Sequence, residues 1–202
     1  MPYQKLPQDF YLSQNVQELS QALLGKCIVS IQNGVRCAGM IVETEAYQGV
    51  DDKASHAYNN RRTQRTETMF QKGGVAYIYL CYGIHHLFNV VTAPEGCPHA
   101  VLVRAVEPLE GQDMMLVRRR MNKIEPRLTA GPGALTQALG ITTALDGSLL
   151  TSKTLWLEDR NIQITKKDII ASPRVGIDYA KEHRDLPWRF RIKNNPWISK
   201  AK

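Results

Sequence analysis

Two glutamates and a tyrosine alternate along an apolar segment that reads IVETEAYQG, residues 41–49. Successive side chains of a β-strand point to opposite faces, so Glu43, Glu45 and Tyr47 would share one face. The residues that alternate with them, Val42, Thr44 and Ala46, share the other face, and the apolar ones can face a core. Paired carboxylates hydrolyse glycosidic bonds, because an anion stabilises the positive charge that develops on the sugar. The alternative is a solvated strand face, paired with some of the 26 lysines and arginines.

A second candidate is the tip of a hairpin in CYGIHHLFN, residues 81–89. Tyr82-Gly83 predicts a two-residue turn in which the glycine supplies a positive φ and the tyrosine projects outward. A side chain at such a tip can enter DNA between base steps, or fill the space that a flipped base leaves. The alternative is an ordinary exposed aromatic side chain.

The histidines and cysteines do not indicate a metal site. His85 and His86 are adjacent, so on a strand they would face opposite ways and could not both bind one ion. We expect one of them to be exposed and the other packed. The four cysteines form no CxxC pair and no zinc-like spacing with histidine, and we expect reduced thiols. Cys27 and Cys81 lie in apolar runs and are predicted to be core residues.

Helical spacing and turn signals predict the elements that position these residues. One helix is predicted over residues 15–24, a second over 109–123, and a third over 131–140 with Pro132 near its start and Gly140 at its end. The polar stretch 48–74 predicts a long connection, and such connections often carry functional residues.

Strand patterns account for most of the remaining chain. Asn33-Gly34 predicts a hairpin between residues 26–32 and 35–47. Further strands are predicted over 75–92 (a second hairpin), 99–108, 154–159, 169–177 and 188–193. The mixture predicts an α+β fold dominated by antiparallel pairing.

Composition narrows the class of protein. The chain has 202 residues, of which 43% are hydrophobic and 22% charged, as in ordinary globular domains. No apolar run approaches the roughly 18 residues that span a bilayer. The start, MPYQKLPQDF, has no secretory signal pattern, which predicts a cytoplasmic protein. The net charge of +7 favours an acidic partner, most commonly nucleic acid, although many basic domains bind none.

A series of motifs then resembles a known family. From about residue 8 to 199 the chain contains, in order, ETEAY, SHA, MF, YIYLCYG, FN, VLVRAVEP, GPGAL, RVGI and NNPWIS. Together they resemble the alkyladenine (3-methyladenine or 3-methylpurine) DNA glycosylases of the hairpin-wedge type, not the helix-hairpin-helix type. The resemblance implies one domain over residues 1–202: a curved, open-barrel-like, mostly antiparallel sheet with flanking helices and a protruding hairpin.

The resemblance also implies a catalytic group. Glu45 would be the general base that activates a water for attack on C1′ of a flipped nucleotide. Arg104 in VLVRAV would help to hold that water, and the backbone carbonyl of Val175 in RVGI would be its third ligand. Without the resemblance, Arg104 reads as a strand-edge arginine with a surface partner.

The implied binding residues are mostly aromatic. Tyr47 and His56 would form one wall of a sandwich around the base, and Tyr79 the other, since stacking on aromatic rings favours bases and alkylated, cationic purines. Asn89 would crowd the C2 edge of a purine and disfavour the amine of guanine. Tyr82 would be the wedge. Taken alone, Tyr79 reads as a core residue, His56 as a loop or packed histidine, and Asn89 as a hydrogen-bonded residue near a strand end.

The remaining implications concern partners and substrate range. The partner would be double-stranded DNA that contains damaged purines, and the protein would act on it as a monomer in base excision repair. The segment 61–65 and Lys72 would contact DNA phosphates. Because no lysine shares the face of Glu45, the enzyme would be monofunctional and leave an abasic site. We also expect it to need no cofactor or metal. Residues 84–86 depart from the mammalian pattern beside the expected pocket. Substrates would therefore be 3-methyladenine, then 7-methylguanine and hypoxanthine, with etheno adducts open.

Two alternatives stay open from the residues. An enzyme for nucleosides or carbohydrates could use Glu43 and Glu45, but would have no use for Tyr82. A non-catalytic nucleic-acid-binding module would leave ETEAY on the surface, and the arginine-rich segment 117–123 could be a solvated helix face. Substitution of Glu45 separates the second alternative from a glycosylase.

Overall fold

The computed structural model describes residues 3–200, in which one sheet is flanked by three α-helices. The helices are α1 (Val16–Ala22), α2 (Gln112–Arg119) and α3 (Pro132–Leu139). The strands are β1 (Gln4–Lys5), β2 (Cys27–Gln32), β3 (Val35–Tyr47), β4 (Ala76–Cys81), β5 (His85–Thr92), β6 (His99–Glu110), β7 (Leu155–Asp159), β8 (Ile169–Ser172) and β9 (Arg189–Ile192).

Every strand pair in this sheet is antiparallel. The strand order is β1-β7-β2-β3-β6-β5-β4. In addition, β9 pairs with β3, and β8 pairs with β9. The sheet curls into a half-barrel, and the hairpin β4–β5 ends it. The predicted α+β fold, with a curved antiparallel sheet, flanking helices and a hairpin, is therefore confirmed.

The first hairpin forms where its turn residues predict it. Asn33 and Gly34 both adopt positive φ, 53° and 77°, and they join Gln32 directly to Val35. On β3, Ile41, Val42 and Ala46 face the main core. That core lies between the sheet and the helices, so one face of β3 is fixed by packing.

Two predicted elements are shorter than expected. α2 spans Gln112–Arg119 because β6 continues to Glu110, and because Gly111 and Arg120 on either side of the helix adopt left-handed conformations. The strand predicted over 169–177 ends at Ser172, because Pro173 has no N–H to donate to a ladder. Residues 173–177 therefore form a loop.

The long polar connection is ordered. It contains the short 3-10 turns Gly49–Asp51, Tyr58–Asn60 and Glu67–Phe70. Ala57, Met69 and Phe70 pack in a second apolar cluster with Tyr77 of β4, which holds the connection against the sheet. Within residues 3–200, no helix is both long and apolar enough to cross a membrane.

Candidate active site

Glu43 and Glu45 lie where β3 has neighbours on both sides. The register with β6 shifts around Glu43, and the same stretch of β3 also pairs with β9. Both glutamate side chains are fully buried. The alternative of a solvated strand face is therefore wrong, and each buried carboxylate requires compensation.

Glu45 is held by three donors. Its Oε2 accepts a hydrogen bond of 2.8 Å from the Tyr47 hydroxyl. Its Oε1 accepts one of 2.8 Å from the backbone N–H of Val175 and lies 3.2 Å from Nη1 of Arg104. Burial and the neighbouring Glu45 carboxylate raise the pKa of Tyr47 well above its usual value, so Tyr47 stays a donor. These contacts fix the carboxylate in one orientation.

Arg104 is shared between the two glutamates. Its Nε donates to Glu43 over 3.0 Å, while Nη1 faces Glu45. Burial disfavours the charged guanidinium, but the carboxylates of Glu45 and Glu43 outweigh it and keep the pKa of Arg104 raised. The arginine that sequence motifs single out is therefore charged and fixed in place.

The loop 173–177 is fastened to the sheet by Arg174. This buried guanidinium pairs with Asp52, with 2.9 Å between Nη2 and Oδ1. It also lies between the rings of Tyr47 and Trp188, 4.7 Å and 5.0 Å from their centroids. Burial would raise the pKa of Asp52, but the hydrogen bonds and charge of Arg174 hold it below its usual value. The loop thereby presents the N–H of Val175 to Glu45. The role of the Val175 carbonyl as a ligand of the water stays a prediction.

A cavity of about 430 Å³ opens beside Glu45. Seven of the eight predicted site residues line it: Tyr47, His56, Tyr79, Tyr82, Asn89, Arg104 and Val175. Glu45 lies behind this lining, in contact with three of its members. The residues that the sequence motifs single out thus converge on one cavity, although they come from five separate segments of the chain.

Aromatic rings form one side of the cavity. The His56 ring packs edge-on against Tyr79, with 4.6 Å between centroids, and its Nδ1 lies 2.9 Å from the Tyr77 hydroxyl. Burial, together with the positive charges of Arg65 and Arg61, lowers the pKa of His56 to about 4. Burial raises the pKa of Tyr77 to about 12. His56 is therefore neutral at pH 7. It packs against Tyr79, although it was predicted to lie with Tyr47 on the opposite wall from Tyr79.

Asn89 is fixed by the sheet. It lies in the middle of β5 and is only 4% exposed. Its Nδ2 donates to the backbone carbonyls of Tyr77, over 3.1 Å, and Leu87, over 3.4 Å. Because its amide is committed to the backbone, its position in the cavity wall is rigid.

Tyr82 projects from the hairpin tip with 91% of its surface exposed. The connection has three residues, not the two predicted, because Cys81 pairs with His85. Tyr82 and Gly83 both adopt positive φ, 51° and 72°. That conformation costs a side-chain-bearing residue about 1–2 kcal/mol. The hairpin therefore presents this ring at an energetic cost.

The residues after the tip do not lie in the base-sized cavity. Ile84, His85 and His86 line a separate cavity against α3. His86 is half-buried and its Nδ1 accepts the Thr143 N–H over 3.2 Å, whereas His85 is exposed over Gly133. As predicted, one histidine is exposed and the other is packed. The influence of residues 84–86 on substrate range stays a prediction. No cluster of three or more potential metal ligands occurs in the described part of the chain.

Basic side chains rim the cavity. Arg65 lies over the Tyr79 ring at 5.0 Å, and with Arg61 and Lys53 it lines an adjoining cavity of about 350 Å³. Arg62 instead pairs with Glu67 through both Nε and Nη2. Within the segment 61–65, therefore, Arg61 and Arg65 face the adjoining cavity.

The second arginine-rich segment, 117–123, is partly structural. Arg118 Nη1 donates to the carbonyl of Ala138 over 3.1 Å, and Arg119 Nε to that of Leu128 over 3.2 Å. These bonds join α2 to α3 and its preceding turn. The interpretation of this segment as a solvated helix face is wrong for these two residues.

Several lining residues were missed from the sequence. Tyr77 lies two positions before Tyr79 on β4, so strand alternation could have found it. Leu80, Cys81 and Tyr179 carry no such signal, because their roles depend on how the hairpin and the loop meet. Cys81 was expected in the core but is half-buried in the cavity wall, and all four cysteines are free thiols.

Comparison with known proteins is consistent with this site. The profile of the methylpurine-DNA glycosylase family matches residues 9–196. A protein of Chlamydia abortus is 50% identical over 192 residues, which cover 94% of this chain and 100% of that protein. A protein of Bacillus cereus is 47% identical over 203 residues, covering 96% and 98%. Both carry the name "Putative 3-methyladenine DNA glycosylase".

The matched family is one of DNA glycosylases, an enzyme class that hydrolyses N-glycosyl bonds. The chain belongs to the methylpurine-DNA glycosylase family.

Proposed function

We propose that the protein is a monofunctional glycosylase of base excision repair that removes alkylated or deaminated purines from duplex DNA. The substrates are 3-methyladenine first, then 7-methylguanine and hypoxanthine. The observation that carries the proposal is the fully buried Glu45, held by three donors at the edge of a cavity of about 430 Å³.

In this proposal Glu45 is the general base. It takes a proton from a water that attacks C1′ of the flipped nucleotide, and its charge stabilises the cationic sugar of the transition state. Arg104 and the carbonyl of Val175 hold the same water. The proximity of Arg104 and Val175 to Glu45 supports this assignment.

The cavity walls select the base. Tyr47, His56 and Tyr79 stack around it, and each aromatic contact contributes about 1–3 kcal/mol. Methylated purines carry a positive charge, which the faces of tyrosine rings attract. Because His56 is neutral at pH 7, it does not repel that charge. Asn89 disfavours the exocyclic amine of guanine at the C2 edge, a role that its rigid placement supports.

The surroundings of the cavity meet the DNA. Tyr82 enters the duplex from the hairpin tip and fills the space of the flipped base, which its exposure of 91% supports. Arg61, Arg65 and Lys72 contact phosphates around the lesion. We infer that a monomer acts on the nucleoid in the cytoplasm.

The enzyme stops at an abasic site. A lyase step needs an amine to form a Schiff base with the sugar. Among the described residues that line the cavity, the permanent cations are Arg65 and Arg104, and a guanidinium does not form a Schiff base at neutral pH.

The test is release of free 3-methyladenine from methylated duplex DNA in EDTA, with wild type and Glu45→Gln side by side. We expect release by wild type alone, and retained lesion binding by the variant. Turnover by Glu45→Gln would overturn the assignment of the base. Absence of release by both proteins would favour a nucleic-acid-binding module without catalysis.

A further inference from the structure

Glu43 is as deeply buried as Glu45, and neither side chain lines the cavity. The three donors to Glu45 all line it, whereas among the described donors to Glu43 only Arg104 does. Its Oε1 accepts hydrogen bonds from Arg104 Nε at 3.0 Å, Arg189 Nε at 2.7 Å and the Ser199 hydroxyl at 2.9 Å. Its Oε2 accepts the backbone N–H of Ser199 at 2.6 Å. Four donors occupy this carboxylate, so it cannot take a proton from a water or attack a sugar.

The occupied carboxylate acts on the site through Arg104. The Nε of Arg104 is bound to Glu43, and Nη1 of the same rigid guanidinium faces Glu45 at 3.2 Å. Within the described residues, Glu43 and Glu45 lie beside two cations, Arg104 and Arg189, in this buried group. Fixing Nε therefore fixes the plane in which Arg104 meets Glu45 and the cavity.

The last described residues complete the arrangement. Asn195 anchors this segment through a hydrogen bond of 2.9 Å from its Nδ2 to Glu107 on β6. Trp197 and Ile198 pack against the main core, and Ser199 then delivers both its N–H and its hydroxyl to Glu43. A segment remote from β3 in sequence thus closes the environment of Glu43.

We propose that Glu43, Arg189 and Ser199 are positioning residues that hold Arg104 in register with the general base Glu45. This inference rests on the proposed glycosylase function. Since misplacing a catalytic group slightly can reduce a rate on the order of 10²-fold, loss of this arrangement acts on the chemical step, not on DNA binding.

Glu43→Gln is the direct test, because it keeps the shape and removes the charge. We expect the single-turnover rate of base release to fall by about tenfold to a hundredfold. The affinity for lesion duplex should change by less than about threefold, because Glu43 does not face the cavity. Ser199→Ala, a smaller change near the chain end, should lower the rate several-fold with the same pattern.

The pH profile separates positioning from general stability. With Glu43 neutral, Arg104 becomes the counter-ion of Glu45 alone, so a positioning role predicts a changed acidic limb of the pH–rate profile, which a mere loss of folded protein would not produce. The charged and titratable groups around Glu45 on the packed elements are Glu43 and Tyr47 on β3, Arg104 on β6, Arg189 on β9, Arg174 in the loop with its partner Asp52, and Tyr179. Only the charge of Glu43 changes in this variant.

Glu158→Gln is the matched control, since Glu158 is a buried, arginine-paired glutamate on β7 that does not contact this cluster. It should keep the wild-type rate per folded molecule. Wild-type rate and pH profile in both Glu43→Gln and Ser199→Ala, or losses that only track the folded fraction, would overturn the positioning role. Absence of base release by wild type would instead overturn the glycosylase proposal and this inference with it.

Discussion

Glu45 and Glu158 occupy the same sheet with similar immediate partners. Each is buried, each bonds an aromatic side chain two residues away, and each pairs with an arginine. For Glu45 these are Tyr47 and Arg104; for Glu158 they are Trp156, at 2.8 Å from Nε1, and Arg160, at 2.8 Å from Nε.

The two glutamates differ in what covers the aromatic ring. The Trp156 ring is covered by Lys5 at 4.5 Å and Arg36 at 5.1 Å from its centroid, so the network around Glu158 is closed. Tyr47 is covered by Arg174 and also lines the cavity beside Glu45. Burial and ion pairing alone therefore do not distinguish the two glutamates; what differs is that the donors to Glu45 line a cavity.

Arginine substitution should separate the two regions most strongly. Arg104→Lys replaces the planar guanidinium, which contacts Glu43 through Nε and Glu45 through Nη1. We expect base release to fall about 10²-fold. Arg160→Lys makes the same change in the closed network and should cost stability alone. Single-turnover rates beside thermal unfolding curves check this; equal rate losses in the two variants would contradict the comparison.

The cavity region should also respond to pH. The pKa of His56 is lowered from 6.5 to about 4, so the unfolded chain binds more protons between these values. The unfolding free energy gained from neutral His56 is thus complete above pH 6.5 and is lost as pH falls toward 4, about 3 kcal/mol in all.

Urea unfolding of wild type and His56→Gln from pH 4 to 7 measures this difference. Burial also lowers the pKa of His99, but that residue is the same in both proteins and cancels. A stability difference that is constant across the range would rule out the lowered pKa of His56.

Exposed tyrosines offer a third comparison. Tyr82→Ala should weaken binding to damaged duplex about tenfold, because one stacking contact is lost. Tyr3 is 50% exposed and covers Arg160 at 4.5 Å in the closed network, so Tyr3→Ala should leave DNA affinity unchanged. Equal affinities of both variants in a titration with lesion duplex would remove the wedge role.

The smallest effect concerns specificity. Asn89→Ser should open space at the C2 edge and raise release of 7-methylguanine relative to 3-methyladenine by roughly threefold to tenfold. Release of 3-methyladenine by the same variant serves as the internal reference. An unchanged product ratio from methylated DNA would count against Asn89 as the residue that excludes guanine.

The local rules of the sequence predicted much of the fold. Asn33-Gly34, the alternation along β3 and Gly140 after α3 gave the right elements, because turn chemistry and periodicity are local. The start of α2 was wrong because β6 continues to Glu110, which the local sequence does not show. The end of β8 was wrong although Pro173 is a local signal for it.

The site was predictable only where its residues lie in motifs. Spacing placed Glu43, Glu45 and Tyr47 on one face. It could not distinguish Glu45, which lies next to the cavity, from Glu43, whose carboxylate is held by Arg189 and Ser199. That distinction depends on Arg189 and Ser199, which are far away in sequence and meet Glu43 only in the folded chain. Arg174 was missed for the same reason, because its partners are Asp52, Tyr47 and Trp188.

The most direct measurement is the single-turnover release of 3-methyladenine, per folded molecule, by Glu45→Gln and Glu158→Gln. If Glu45, the carboxylate next to the cavity, is the general base, Glu45→Gln loses at least about 10³-fold in rate and stays folded. Glu158→Gln then keeps the wild-type rate while its unfolding free energy falls by about 3–5 kcal/mol. Comparable rates for the two variants would contradict the account.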